Sequence, residues 1–169
     1  MLARLPLVAA FAILLACAAP ASLASRELVA YDGHAAGTVV IKTAERRLYL
    51  LLGDGRALRY RVAVGKPGKQ WTGATFIGGK HLRPDWTPPP VVKRDIPSLP
   101  DLIPGGAPNN PMGEAALTLG PDGEYAIHGT NRPETVGRFA SYGCFRMVNA
   151  DVLDLYARVR VGTPVIVTR

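Results

Sequence analysis

Residues 128–147 have the sequence HGTNRPETVGRFASYGCFRM, which holds the residues most indicative of chemistry in this chain. It contains Cys144, the only cysteine outside the first 24 residues, and His128, one of three histidines. A thiol becomes a good nucleophile when a neighbouring imidazole removes its proton. Glycines and a proline punctuate the sixteen residues from His128 to Cys144, so this segment can fold back on itself. The stretch therefore predicts a cysteine nucleophile with a histidine base.

The residues beside Cys144 favour the same interpretation. Gly143 leaves no side chain before the thiol, so the backbone can turn tightly and a substrate can approach. Backbone N–H groups at such a turn can point at a developing oxyanion. Arg146 can pair with a substrate carboxylate through its forked guanidinium. A single cysteine or histidine is most often structural, but their combination at this spacing indicates an active site.

A known family has a similar pair of motifs. The chain resembles the L,D-transpeptidase catalytic domain, also called the YkuD domain, at His128-Gly129-Thr130 and at Ser141-Tyr142-Gly143-Cys144-Phe145-Arg146-Met147. The resemblance implies a cysteine acyltransferase of bacterial peptidoglycan. It implies that Cys144 is the nucleophile, that His128 is the base, and that the carbonyl of Gly129 orients the imidazole.

The resemblance also implies a set of neighbouring residues. The N–H groups of Gly143 and Cys144 are expected to form the oxyanion hole. Tyr142 stands where many members have histidine or arginine, and the segment around Trp86 resembles a Pro-x-Trp-x-Pro-Pro stretch that walls the family's cleft. The predicted oxyanion and substrate-binding residues are Gly143, Ser141, Arg146, Tyr142 and Trp86.

The first 24 residues are predicted to be a signal peptide. Arg4 forms a positive start, Leu5–Ala16 is apolar, and small residues follow. Two processing sites stay open: cleavage after Ala24, or a lipobox-like Leu14-Leu15-Ala16-Cys17 that would make Cys17 a lipid-carrying terminus. Either predicts export to the periplasm or cell envelope. With one cysteine left, the exported part has no internal disulfide.

The amino-acid composition limits the classes of binding partner that can be predicted. The chain has 169 residues with 20 Lys and Arg against 13 Asp and Glu, a formal charge of +7. The basic residues are scattered, so nucleic acid is not predicted, and a wall polymer rich in carboxylates fits equally well. No ligand spacing for a metal and no phosphate-binding loop is present, so neither metal nor cofactor is expected. His34 and His81 are expected to be surface residues.

The hydrophobic pattern predicts one mainly β domain over residues 37–168, preceded by a loose linker at 25–36. Strands are predicted at 38–43, 47–52 and 59–64, with a hairpin turn at Asp54-Gly55. Because no helix intervenes, the fold is expected to be antiparallel and sandwich-like. Further strands are predicted at 116–119, 125–128 and 163–167. One helix over 150–159, capped by Asn149, follows the cysteine.

A proline-dense segment interrupts the strands. Residues 78–111 hold nine of the 15 prolines, which resist helix and central strand. Apolar residues within it argue against a solvated tether, so it is predicted to be an ordered lid over the active site.

The resemblance implies two acyl transfers. A Cys144 thioester forms with a stem peptide containing diaminopimelate and then passes to an amine, either on a second stem or on a protein anchored to the wall. Two alternatives remain open. The same residues could serve an L,D-carboxypeptidase or amidase with water as acceptor, or the chain could be a non-catalytic peptidoglycan-binding module.

Overall fold

The computed structural model describes residues 26–169, so the predicted leader and Cys17 lie outside the described residues. This part of the chain forms eleven strands and two α-helices. The strands are β1 (Glu27–Ala30), β2 (Val39–Lys42), β3 (Arg47–Gly53), β4 (Arg56–Arg61), β5 (Val64–Gly65), β6 (Gly73–Leu82), β7 (Ala115–Leu119), β8 (Tyr125–His128), β9 (Phe139–Ser141), β10 (Phe145–Arg146) and β11 (Pro164–Thr168). The helices are α1 (Pro90–Asp95) and α2 (Asn149–Arg158), and Pro133–Thr135 forms a 3-10 turn.

Nine strands form one sheet in the order β1-β4-β3-β2-β11-β6-β7-β8-β10, and β5 pairs with β9 separately. The predicted mainly β fold is confirmed, including the hairpin at Asp54-Gly55. Both turn residues have positive φ, 50° and 66°, as a two-residue hairpin turn requires. Most strand pairs are antiparallel, as expected, but β2–β11, β8–β10 and β5–β9 are parallel pairs.

The parallel pair β8–β10 positions the central motif. Parallel neighbours need a crossover of about a dozen residues or more. The segment between His128 and Phe145 supplies that crossover, and the register then places Arg146 opposite His128. The N–H of Met147 donates to the carbonyl of His128 at 2.8 Å, which ties the two strand ends together.

A single large apolar core lies under the sheet and receives helix α2. The helix buries Val152 and Leu155 in this core, as its predicted apolar face requires. Completely buried strand residues with which it clusters are Val39, Ile41, Leu48, Leu117, Ile127 and Val165. A smaller cluster around Val40 and Tyr49 covers the other side of the central strands, so these strands are buried on both faces.

Four local predictions are wrong. The predicted tether contains β1, which pairs with β4 at the sheet edge. Residues 78–82 belong to β6 rather than to the lid. Gly78 fits there because a Cβ at this position would lie 2.1 Å from the carbonyl oxygen of Gly120. The lid contains α1, whose first residue is Pro90; proline is favourable at this position because its N–H would be unpaired anyway. Helix α2 begins at Asn149 itself, with Val148 at the cap position.

Within residues 26–169, no helix has the length and apolar character needed to cross a membrane.

Candidate active site

His128 is held rigidly at the end of β8. Its side chain is only 4% exposed. Nδ1 lies 2.7 Å from the carbonyl oxygen of Gly129. A carbonyl can only accept, so Nδ1 carries the proton in this contact and Nε2 keeps its lone pair. The ring therefore has the tautomer that a general base needs.

The surroundings of His128 keep it neutral. Burial, followed by the positive charge of Arg146, lowers the pKa of His128 to about 4. The carbonyls of Gly129 and Pro111 act in the opposite direction, more weakly. At neutral pH the imidazole is therefore uncharged and able to accept a proton.

The turn before Cys144 depends on a glycine. Gly143 has a φ of 129°, and a Cβ there would lie 2.4 Å from the ring of Tyr125. Trp71 stacks on Tyr125 with ring centroids 5.0 Å apart, and its Nε1 donates to the carbonyl of Gly143 at 3.1 Å. This aromatic pair, which the sequence interpretation did not identify, fixes the backbone that presents the thiol.

Ser141 clamps the same turn from the other side. Its buried hydroxyl donates to the carbonyl of Cys144 at 2.5 Å and accepts the N–H of Gly143 at 3.1 Å. The predicted oxyanion donor at Gly143 is thus already engaged, so an oxyanion would have to share this N–H with Ser141. Ser141 therefore holds the loop in place, and it also lines the cavity.

Cys144 is a protonated thiol at rest. Burial raises the pKa of Cys144, and the negative charge of Glu124 adds to this effect. A backbone hydrogen bond from Ala126 and the positive charge of Arg146 act in the opposite direction. A preformed thiolate is therefore not favoured in these surroundings.

Arg146 brings an unneutralised charge to the site. Its backbone exchanges two hydrogen bonds with Ala63, at 2.8 and 3.0 Å. Burial lowers the pKa of its guanidinium. Within residues 26–169 its buried Nε has no hydrogen-bond partner. The guanidinium lines the cavity and forms no ion pair in the described part of the chain, so its terminal N–H groups are suited to an anionic ligand.

These residues share one cavity of about 260 Å³. The catalytic motif contributes His128, Thr130, Ser141, Tyr142, Cys144 and Arg146. The lid contributes an apolar wall made of Trp86, Pro89, Val92, Ile96, Leu99 and Ile103. The structure thus brings six of the predicted side chains, Cys144, His128, Ser141, Tyr142, Arg146 and Trp86, to one place, and Gly129 and Gly143 are held next to them.

The lid is ordered by its own hydrogen bonds. Asn110 is buried, and its Nδ2 donates to the carbonyls of Pro84, Ile103 and Pro104 at 3.0 to 3.2 Å. Trp86 and Ile103 exchange two backbone hydrogen bonds of 2.9 Å. The lid is therefore an ordered part of the cavity wall.

The cysteine loop also contacts the lid directly. Tyr142 donates its hydroxyl to Asp95, at the end of α1, at 2.9 Å. The ammonium group of Lys66 lies 3.8 Å from the centre of the Tyr142 ring and 3.9 Å from Asp95. Tyr142 thus joins the cysteine loop to the lid.

Asn149 is the main site-supporting residue that the sequence interpretation assigned wrongly. Its Oδ1 accepts the N–H of Thr130 at 3.0 Å and that of Glu114 at 3.2 Å, instead of capping α2. Added Cβ atoms at Gly113 and Gly129 would lie 2.2 and 2.3 Å from this oxygen. Asn149 therefore fixes the backbone that carries the carbonyl orienting His128. An asparagine just before a helix is usually predicted to cap it. The contacts of Asn149 with distant backbone groups cannot be recognised from the neighbouring sequence.

His34 and His81 are exposed, as expected. Over the described range 26–169, no three His, Cys, Asp or Glu side chains are grouped so that they could hold a metal ion.

Comparisons with known proteins agree with this geometry. The family model for YkuD, the L,D-transpeptidase catalytic domain, matches residues 36–167. The probable L,D-transpeptidase ErfK/SrfK of Escherichia coli (strain K12) is 37% identical over 136 residues, which cover 75% of this chain and 42% of that relative. The chain thus spans about two fifths of that relative's length.

Solved structures share the fold. An L,D-transpeptidase from Mycobacterium smegmatis aligns with a TM-score of 0.58 at 18% identity, over 78% of this chain and 58% of that one. A structure described as a probable carnitine operon oxidoreductase from Brucella melitensis aligns with a TM-score of 0.57 at 40% identity, over 82% of this chain and 89% of that one. That description names an oxidoreductase, whereas the matching family is defined as a transpeptidase domain.

Proposed function

Because the chain belongs to the L,D-transpeptidase catalytic domain family, we propose that it is an exported peptidoglycan L,D-transpeptidase that works through a Cys144 thioester. The observation that carries the proposal is the shared cavity of Cys144, a neutral His128 of fixed tautomer and an unpaired Arg146. Residues 37–168 are the proposed catalytic domain, and residues 1–24 the proposed signal peptide.

The first transfer begins with an uncharged pair. His128 Nε2 accepts the proton of the Cys144 thiol while the sulfur attacks the carbonyl that precedes the terminal D-residue of a stem peptide. The imidazolium then gives this proton to the departing nitrogen, so the D-residue leaves as an amine and a thioester remains. The raised pKa of Cys144 and the lowered pKa of His128 support a transfer coupled to attack, rather than a resting ion pair.

Arg146 is the proposed partner of the substrate's terminal carboxylate. Arg146 follows Cys144 by two positions in the sequence, and its side chain lines the cavity. Within the described residues its Nε has no hydrogen-bond partner. A carboxylate on the leaving residue would pair with the terminal N–H groups of this guanidinium and orient the scissile bond. The Cys144 N–H, with the N–H of Gly143 shared with Ser141, is the proposed oxyanion hole.

In the second transfer an amine attacks the thioester. The proposed acceptor is the side-chain amine of diaminopimelate in a second stem, or an amine on a protein that becomes anchored to the wall. The apolar wall formed by Trp86, Val92 and Ile96 supports aminolysis over hydrolysis, because it limits water around the thioester. The same residues would serve a hydrolase if water reached the thioester first.

The test is incubation of the purified protein with a disaccharide-tetrapeptide, with products identified by mass spectrometry beside Cys144→Ala. A dimer linked between two diaminopimelates, absent with Cys144→Ala, is the expected result. A Cys144-dependent tripeptide without dimer would assign the hydrolase. Equal products from both proteins would refute the catalytic proposal and favour a binding module.

A further inference from the structure

A second arginine stands at the rim of the same cavity. Arg132 lines the cavity together with Arg146. Its backbone is fixed on both sides. The Arg132 N–H donates to Oγ1 of Thr130 at 3.0 Å, and its carbonyl accepts from the N–H and hydroxyl of Thr135 at 3.0 and 2.7 Å. The side chain of Arg132 therefore starts from a defined position at the cavity edge.

Arg132 forms only a weak, exposed ion pair within the protein. Its Nε donates to Glu134 at 3.2 Å, but the two side chains are 68% and 60% exposed. Exposed ion pairs of this kind contribute little to stability, so a ligand carboxylate can compete with Glu134. In the described part of the chain, the guanidinium donates only through Nε, which leaves its terminal N–H groups available.

Arg132 and Arg146 both line the cavity. The positive charge of Arg132 adds to the effect of burial in lowering the pKa of Arg146. Two cations beside one reaction centre favour a ligand with two anionic groups. A stem peptide cut after diaminopimelate has two such groups near the scissile bond: the carboxylate of the leaving D-residue and the carboxylate at the end of the diaminopimelate side chain.

We propose that Arg132 binds the side-chain carboxylate of the donor's diaminopimelate, while Arg146 binds the carboxylate of the leaving residue. This inference rests on the proposed function. The assignment follows from position: Arg146 is half-buried and close to Cys144 in sequence, whereas Arg132 lies at the exposed rim, where a long substrate side chain would reach it. Arg132 is thus a specificity determinant for stems with a free diaminopimelate carboxylate.

The experiment compares two disaccharide-tetrapeptides, one with the free side-chain carboxylate and one with the corresponding carboxamide. The readout is Cys144-dependent release of the terminal D-residue, which reports thioester formation whatever the acceptor is. The proteins are the wild type, Arg132→Gln and a matched control, Arg83→Gln. Arg83 also pairs through Nε with a glutamate, Glu114, at 2.7 Å and is 65% exposed, but it does not line the cavity.

For the wild type, amidation is expected to reduce kcat/KM about tenfold, as loss of a charge-assisted hydrogen bond at a partly exposed site does. Arg132→Gln is expected to lose about the same factor on the free substrate and nothing further on the amide. The loss should lie in KM, because the contact is present before and during the reaction. Arg83→Gln should match the wild type on both substrates.

Equal loss by Arg132→Gln on both substrates would overturn the inference, since Arg132 would then act without regard to the carboxylate. A wild type that does not distinguish the substrates would overturn it as well, and either result leaves the transpeptidase proposal standing. No Cys144-dependent release from either substrate would refute the proposed function and this inference with it.

Discussion

Replacing Asn149 with alanine should destabilise the protein and misplace the catalytic base. Asn149 Oδ1 accepts the N–H groups of Thr130 and Glu114, which belong to segments far apart in the sequence. Alanine would leave both donors without this partner. The Gly129 carbonyl, one residue before Thr130, would then lose the anchor that holds it against His128 Nδ1.

The expected magnitude follows from the two lost hydrogen bonds. Each contributes about 1 kcal/mol, and an unpaired donor costs more where water cannot reach it. Because Asn149 is half-buried, a total loss of about 2–3 kcal/mol is expected. In a domain of this size that corresponds to a Tm lower by about 5–10 °C. A shift of the base by a fraction of an ångström should reduce kcat by roughly tenfold or more.

Thermal unfolding and release of the terminal D-residue test this prediction, with Asn149→Asp as the matched control. Aspartate keeps both acceptor positions, and its charge is favourable at the first residue of α2. We therefore expect Asn149→Asp to stay within about 1 kcal/mol of the wild type. An alanine variant as stable as the wild type, or an aspartate variant as unstable as the alanine one, would refute the reasoning.

Three further predictions concern ionisation and the lid. The unfolded pKa of His128 is near 6.5 and the folded pKa about 4, so the unfolded state binds the proton more readily. Stability should be complete above about pH 6.5 and fall by up to roughly 3 kcal/mol as the pH drops to about 4, a dependence that denaturation of His128→Gln should lack. The raised pKa of Cys144 predicts that iodoacetamide alkylates this thiol slowly at pH 7 and faster only at alkaline pH. Intact-mass measurements test this prediction. Fast alkylation at pH 7 would contradict the description of Cys144 as a neutral thiol. Tyr142→Phe removes the hydroxyl bonded to Asp95, so hydrogen exchange of α1 should accelerate severalfold with little change in Tm; unchanged exchange would show that this contact does not hold the lid.

Local chemistry in the sequence predicted residues that line the cavity and much of the sheet. The motifs at His128 and Cys144, the Asp54-Gly55 turn and the apolar face of α2 each depend on neighbouring residues, so they can be read from one stretch. Strand β6 was missed because its glycines hide the alternation, and two of them, Gly78 and Gly79, lie where a Cβ would collide with neighbouring atoms of the folded sheet. Gly78, which faces the Gly120 carbonyl, is the clearest case.

The supporting residues could not be found in this way. Asn149 and Trp71 act on backbone groups far away in sequence, and both residue types also occur as ordinary caps or core residues. Helix α1 was missed because proline was weighed as a helix breaker, although at the first helical position it is compatible with helix. Sequence therefore predicts the side chains that line the cavity better than the residues that hold them in place.

The charges of the cavity lie on its arginines and not on the reacting pair, which limits what those arginines can do. Arg146 lowers the pKa of both His128 and Cys144. It makes the imidazole a weaker base and the thiol a stronger acid, so its two effects on proton transfer oppose each other. A bound carboxylate that neutralised Arg146 would reverse both effects together. The charge of Arg146 is therefore expected to bias the proposed proton transfer little and to act by holding the substrate, while the rate is expected to depend on the fixed tautomer of His128 and on the turn that presents Cys144.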